Sequence, residues 1–238
     1  MRPPAAGTAW QAMAMQLRDD PSTVELVAFD ATEWIASPQP AVTRKLLERD
    51  GGEVARATSI VRYAPGSSFP AHGHERGEEF VVLEGTFSDE HGSYPEGSYV
   101  RNPPGSRHRP FSEGGCTIFV KLRQSQPDDL RRVVAACDLS PVADGAAKQT
   151  ALHAHGNEGV SLVRLGAGAR LALGPGDVAV ELLVLRGDMT IDGEACARWG
   201  WFRAPRHGQR VETTAGCAFW MKRGHLPGPA GYAYTGTR

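Results

Sequence analysis

At 238 residues the chain is long enough for one large domain or two small ones, each able to bury a core without disulfide or metal staples. Its 26 basic and 27 acidic residues give a formal net charge of -1, so nothing pulls it toward nucleic acid or an anionic membrane by charge alone. No apolar run approaches the ~20 residues of a membrane helix, and the first twenty residues lack the apolar segment of a signal peptide.

Taken in chain order, residues 1–22 read as a loose extension with a short helix around 8–18. Residues 41–49 (AVTRKLLER) fit a helical turn or a strand equally well. Short runs rich in Val, Ile, Phe and Tyr follow at 58–63, 78–85, 97–101 and 116–122, and these read as strands. Residues Pro127 to Ala136 open with Pro and early acids, the pattern of a short helix. The stretch 138–149 reads as a linker. The 28 Gly and 17 Pro fit many tight turns better than long helices.

The strands then repeat. SIVRYAPG at 59–66 returns as SLVRLGAG at 161–168, and EFVVLEG at 79–85 returns as ELLVLRG at 181–187. GSYVRNP (97–103) matches GWFRAP (200–205), and GGCTIFVKL (114–122) matches AGCAFWMKR (215–223). Four blocks in one order mark an internal duplication. A duplicated set of short strands predicts an all-β chain of two jelly-roll barrels with few short helices, divided at 1–136 and 137–238. The cysteines, Cys116, Cys137, Cys196 and Cys217, are sparse and form no CxxC. That fits reduced thiols and a cytoplasmic location.

Histidine carries the chemistry. His72 and His74 are two apart on a strand and project to the same side. Glu78 begins the next strand after a short turn, and His108 follows a Pro103-Pro104-Gly105 turn. Three imidazoles and a carboxylate that converge in a barrel make a site for one divalent transition metal: Fe, Zn, Ni, Mn or Cu. Glu79 rivals Glu78 for the carboxylate place, but Glu78 shares the parity of Phe80 and Val82. Glu79 also has a repeat partner, Glu181, in a half without the histidines. In that half His72, His74 and Glu78 become Gly174, Gly176 and Val180, and the place of His108 falls near Gln209. His91, His153, His155, His207 and His225 are expected at exposed or turn positions. Cys116 and Cys217 occupy matching places and read as core. Tyr63 and Arg101 are candidates to bind a substrate carbonyl or carboxylate, against a structural role at the barrel rim or in a salt bridge.

Two spacings, Gly66-x5-His72-x-His74-x3-Glu78-x6-Gly85 and Gly97-x5-Pro103-x-Gly105-x2-His108, resemble the paired motifs of the cupin superfamily. Ser112 stands where cupins often carry Asn. The wording of residues 30–124, including Trp34 and Val42-x-Arg44-Lys45-x-Leu47, is similar to the cupin domain of ChrR-type anti-sigma factors. The resemblance implies tandem cupin (double-stranded β-helix) barrels, with a metal held by His72, His74, Glu78 and His108. It extends to metal-dependent dioxygenases that cleave diketones and aryl ketones. The N-terminal His/Cys zinc domain of ChrR has no counterpart, because the first His is His72 and the first Cys is Cys116. The leading expectation is therefore a metal-dependent oxygenase acting on a small organic substrate, with Glu78, Tyr63 and Arg101 as its working side chains. A non-catalytic ChrR-like sensor and a cupin isomerase or lyase are the alternatives. A homodimer through sheet edges is the assembly to test.

Overall fold

The computed structural model describes residues 15–52, 54–173, 178–206 and 208–226. The alternating apolar runs form strands, and the Gly- and Pro-rich breaks between them turn the chain. The first half builds a sheet in the order Met15–Leu17, Val42–Gly51, Arg56–Tyr63, Cys116–Leu122, Glu78–Asp89, Ser98–Asn102, Val133–Ala136. Facing it are Ser67–Ser68, Phe111–Ser112 and Gly92–Pro95, together with a separate ladder of His72–His74 against Ser106–His108. The second half repeats the plan. Its main sheet runs Ala147–His155, Glu158–Leu165, Cys217–Arg223, Val180–Gly187, Trp201–Ala204, Glu25–Val27. Arg170–Ala172, Arg210–Glu212, Met189–Ile191 and Glu194–Cys196 form the sheet opposite.

The edges of the two main sheets are exchanged. Glu25–Val27 precedes the first repeat but completes the second sheet on Trp201–Ala204. Val133–Ala136 precedes the second repeat but completes the first sheet on Ser98–Asn102. Each repeat thus lends its leading strand to the other, which covers an open edge on both sheets.

One open choice is settled and two expectations are corrected. Of residues 41–49, left between a helical turn and a strand, 42–49 lie in the strand Val42–Gly51, paired along Arg56–Tyr63 with a bulge between Leu46 and Glu48. Pro127 to Ala136 forms no helix; its apolar end, Val133–Ala136, finds a strand edge instead. Met15–Leu17, placed in the loose extension and its short helix, pairs with Arg49, Asp50 and Gly51; the rest of that helix, residues 8–14, lies outside the described residues. The only helical turn among the described residues is the 3-10 turn Phe29–Ala31, and no helix there is long and apolar enough to cross a membrane.

Three cores result. One fills the first half around Phe80, Phe87, Tyr94 and Cys116. A second fills the second half around Val180, Phe202, Phe219 and Met221. The largest lies between the halves, where Leu47, Val81, Tyr99 and Phe119 meet Leu162, Leu183, Trp201 and Trp220. Buried charge threads this last core in matched pairs. Lys121 from the first half binds Glu181 at 2.6 Å, and Lys222 from the second half pairs with Glu79. The four residues are repeat counterparts, so the duplication produces two reciprocal ion pairs.

Candidate metal centre

The ladder of His72–His74 on Ser106–His108 places the three histidines. Its register sets His108 opposite His72, with Ser106 opposite His74. The imidazole centroids lie 4.8 to 5.2 Å apart. Glu78, at the head of Glu78–Asp89, turns to the same interior. Its Oε2 is 3.5 Å from Nε2 of both His74 and His108, and it accepts a hydrogen bond of 3.0 Å from Asn102 Nδ2. His74, Glu78 and His108 are buried, and His72 is partly exposed at the mouth.

The outer partners fix which nitrogens face inward. His108 Nδ1 donates to Asp89 Oδ2 at 3.1 Å, since a carboxylate only accepts. His72 Nδ1 donates to the carbonyl of Pro70 at 3.0 Å for the same reason. Both rings therefore present an Nε2 lone pair to the interior. His74 Nε2 sits only 2.9 Å from His108 Nε2. In the free protein one of these nitrogens donates its proton to the other as an N–H···N hydrogen bond; with that proton removed, both lone pairs can turn to one ion. An ion about 2.1 Å from each donor leaves neighbouring donors roughly 3.0 to 3.4 Å apart, which matches the spacing found here. The donor set thus fits a borderline transition ion. His72, His74 and His108 form a group geometrically able to hold one.

Burial pulls the His74 pKa down against the opposing charge of Glu78. Burial acts on His108 in the same direction, but the bond to Asp89 and the charge of Glu78 overcome it and raise that pKa. Asp89, in turn, is tied down by Tyr94 at 3.0 Å and the His91 backbone amide at 2.8 Å. Sequence reasoning missed Asp89. Along Cys116–Leu122 the strand pairs Val82 and then Glu84, so Leu83 is the extra residue of a bulge; the nearby signal in the sequence was Gly85, whose φ of 74° and close approach to Gly115 suit a distorted strand. Past the bulge the inward parity changes, so Phe87 and Asp89 point in alongside Glu78, Phe80 and Val82.

Of the other expected residues, Tyr63 lies in the same interior. Its ring packs 5.6 Å from Phe69 and 5.5 Å from Phe87. Burial, aided by the charge of Glu78, pushes its phenol pKa well up. Arg101 and Glu79 lie on the opposite face of the sheet, between the halves. Arg101 is fully buried and reaches Glu79 at 3.0 Å, Asp129 at 2.6 Å and Glu158 at 2.9 Å. It is removed from the imidazoles and cannot serve a substrate there. Tyr99 completes this cluster with a 2.9 Å bond to Glu79.

Two histidines expected at the surface are buried in the same interface. His153 is 3% exposed and bonds Asp129 at 2.8 Å, because a bulge in Ala147–His155 turns it toward the first half. His225 has a fully covered side chain and binds Glu181 at 2.8 Å. Asp129, His153 and Glu158 are close enough together to suggest a second ion site, but Arg101 and Lys222 already supply the positive charge there. His91 is exposed and His155 part-buried, while His207, Gly174 and Gly176 lie outside the described residues. All four cysteines are free and buried, and burial pushes the Cys116 and Cys217 thiols up to about 11.

Two jelly-roll halves with a cluster of histidines inside one of them define a cupin-fold protein. More narrowly, residues 22–126 match the ChrR cupin-like domain family. Among solved structures the chain resembles a candidate dioxygenase from Nostoc punctiforme, with 15% identity over 90% of this chain and 86% of that one, at a TM-score of 0.68. It resembles the bacterial pirin YhhW of Escherichia coli in complex with nickel(II), with 13% identity over 87% and 100% of the two chains and a TM-score of 0.65. An oxalate decarboxylase matches at 13% identity over 85% and 77% of the chains, with a TM-score of 0.57. At these identities the likeness is one of fold. No curated protein matches the chain in sequence.

Proposed function

We propose that the first half holds one divalent transition ion on His72, His74, Glu78 and His108, and that the chain is a metal-dependent oxygenase of a small organic substrate. The observation that carries this reading is the convergence of imidazole nitrogens and one carboxylate oxygen at ligand spacing inside a single barrel. When bound, the ion supplies a Lewis-acid centre with coordination positions left for substrate and dioxygen. The side chains divide the remaining work. Asp89 holds the His108 ring in the tautomer that leaves Nε2 free. Tyr63, kept protonated by burial and by Glu78, offers a hydrogen-bond donor to a substrate oxygen. Phe69 and Phe87, packed against the histidines and Tyr63, limit water around the reacting groups. Glu78 is the candidate proton acceptor, with Asn102 fixing its carboxylate. The likeness to a candidate dioxygenase and to a nickel-bound pirin supports the reading.

The test is oxygen uptake by protein loaded with Fe, Ni, Mn or Zn, over a panel of diketones and hydroxyaryl ketones. Uptake with at least one pair of metal and substrate is expected, and its absence throughout overturns the oxygenase reading. The match to the ChrR cupin-like domain favours a second reading, a zinc-holding sensor. That reading predicts tight zinc, no uptake and a protein partner that co-purifies.

A further inference from the structure

Nearly every buried cation among the described residues has a named counter-charge. Arg101, Lys121, Arg164, Arg203 and Lys222 each meet a carboxylate. Lys45 is held by the carbonyls of Phe29 and Thr32 and lies over the rings of Phe29 and Trp34. Two arginines of the strand Val42–Gly51 break the pattern. Arg49 is buried and reaches only the backbone carbonyls of Gly51 and Gly52. Arg44 is half-buried, forms no ion pair among the described residues, and has a covered Nε without a hydrogen-bond partner.

Both arginines sit on the face that carries the candidate metal ligands. Arg49, Ala57, Leu122 and Glu78 form one register row across four neighbouring strands. Arg44, Val61, Ile118 and Val82 form another. Ile118 and Val82 belong to the interior core of the first half, together with Tyr63 and Phe87. Burial lowers the pKa of both guanidiniums; Arg44 also bears on Arg49 by like-charge repulsion, and no acid relieves either. An uncompensated pair of cations facing an interior costs free energy unless an anion joins them.

The second half shows what this strand looks like without the site. In the equivalent rows Gln149 faces Val163 where Arg44 faces Val61, and Ala154 faces Gly159 where Arg49 faces Ala57. Gln149 spends its amide on Ser161 at 3.1 Å. The arginines therefore occur in the barrel with the histidines and are missing from the barrel without them.

We propose that Arg44, seconded by Arg49, binds the carboxylate of a small organic acid that enters the first barrel, so that the substrate class of the proposed metal site is a mono- or dicarboxylate. This rests on the metal-enzyme reading for what the acid does there, but not for its binding. The planar guanidinium of Arg44 can donate two parallel N–H hydrogen bonds to a carboxylate. The two positive charges also raise the local concentration of anions on that face.

The test is calorimetric titration of metal-loaded protein with benzoate and with its uncharged analogue benzamide, on wild type, Arg44→Gln and Arg44→Lys. Benzoate is expected to bind at least about tenfold more tightly than benzamide to wild type, and Arg44→Gln to lose that preference. Arg44→Lys keeps the charge but not the fork, so it falls between the two. Arg44→Gln is also expected to melt at or above the wild-type temperature, because it removes a charge with no partner in the free protein. Equal binding of benzoate and benzamide to wild type, or undiminished benzoate binding by Arg44→Gln, overturns the proposal. Should Arg44→Gln not fold, the wild-type selectivity and the Arg44→Lys affinity decide. Metal content of the same samples reports on the metal reading separately. An ion-free wild type that still prefers benzoate sinks the metal site and leaves the anion site standing.

Discussion

The register row that ends at Glu78 in the first half ends at Val180 in the second, and the difference runs through the whole interior. Around Glu78 stand His74, His108, Asn102 and Asp89, each satisfied by another polar group. Around Val180 stand Leu182, Phe202, Ala204 and Met221, a closed apolar core. The outer faces of the same strands did not diverge in this way. Glu79 and Glu181, Lys121 and Lys222, Tyr99 and Trp201 keep matching places and matching partners between the halves. One face of each sheet is held constant by the need to pair buried charges across the interface. The other face is free to carry chemistry or to fill itself with methyl groups. A buried ion pair broken on one side leaves an unpaired charge, whereas a set of ligands lost together leaves a volume that apolar side chains can occupy.

Five substitutions would break or sharpen this contrast. Lys121→Met strands Glu181 in the interface with only His225 and the Trp201 indole N–H. It is expected to cost about 3–5 kcal/mol in urea unfolding, with metal content per folded chain unchanged. A loss below about 1 kcal/mol would deny the interface its role. Asp89→Asn leaves one acceptor oxygen where there were two, so it can no longer serve both His108 and the Tyr94–His91 pair, and it removes the charge behind the His108 ring. A fall in metal affinity of about 10- to 100-fold is expected, read by competition with a chelator, with little change in unfolding.

Acid should act through the interface carboxylates. Burial would raise the Glu79 pKa, but Lys222 and Arg101 overcome it and hold it at about 2, below its ordinary value of 4.5. Its contribution to stability is then full above pH 4.5 and drains away as pH falls toward 2. The urea midpoint should decline over that window in wild type and decline less in Glu79→Gln; parallel slopes would contradict the assignment. The smallest effect concerns the shared cysteines. Cys116→Ala and Cys217→Ala should each cost about 1 kcal/mol and leave the metal in place, because both thiols are core.

Much of the pattern was legible in the residues themselves. The duplication, the all-β plan and the inward set His72, His74, Glu78 and His108 follow from spacing and strand parity, and the preference for Glu78 over Glu79 follows from parity and from Glu181. What escaped has physical reasons. Asp89 was hidden because the bulge at Leu83 resets the alternation, so counting by twos from Glu78 puts it on the wrong face. His153 was hidden by a bulge of the same kind at 151–153. Arg101 looked like a substrate ligand because it follows Tyr99 just before the second motif. Its face depends on cross-strand partners, Glu79 and then Lys121, that lie far away in sequence. The exchange of Glu25–Val27 and Val133–Ala136 left no mark either, since a three- or four-residue edge strand carries almost no periodicity.

The central claim is that one barrel, and not both, holds an ion. Elemental analysis of protein purified without added metal tests it most directly, on wild type and on His72→Ala/His108→Ala. The account predicts one transition ion per wild-type chain and none in the double variant, with both proteins folded. Two ions per chain, or an ion retained by the folded double variant, would contradict it.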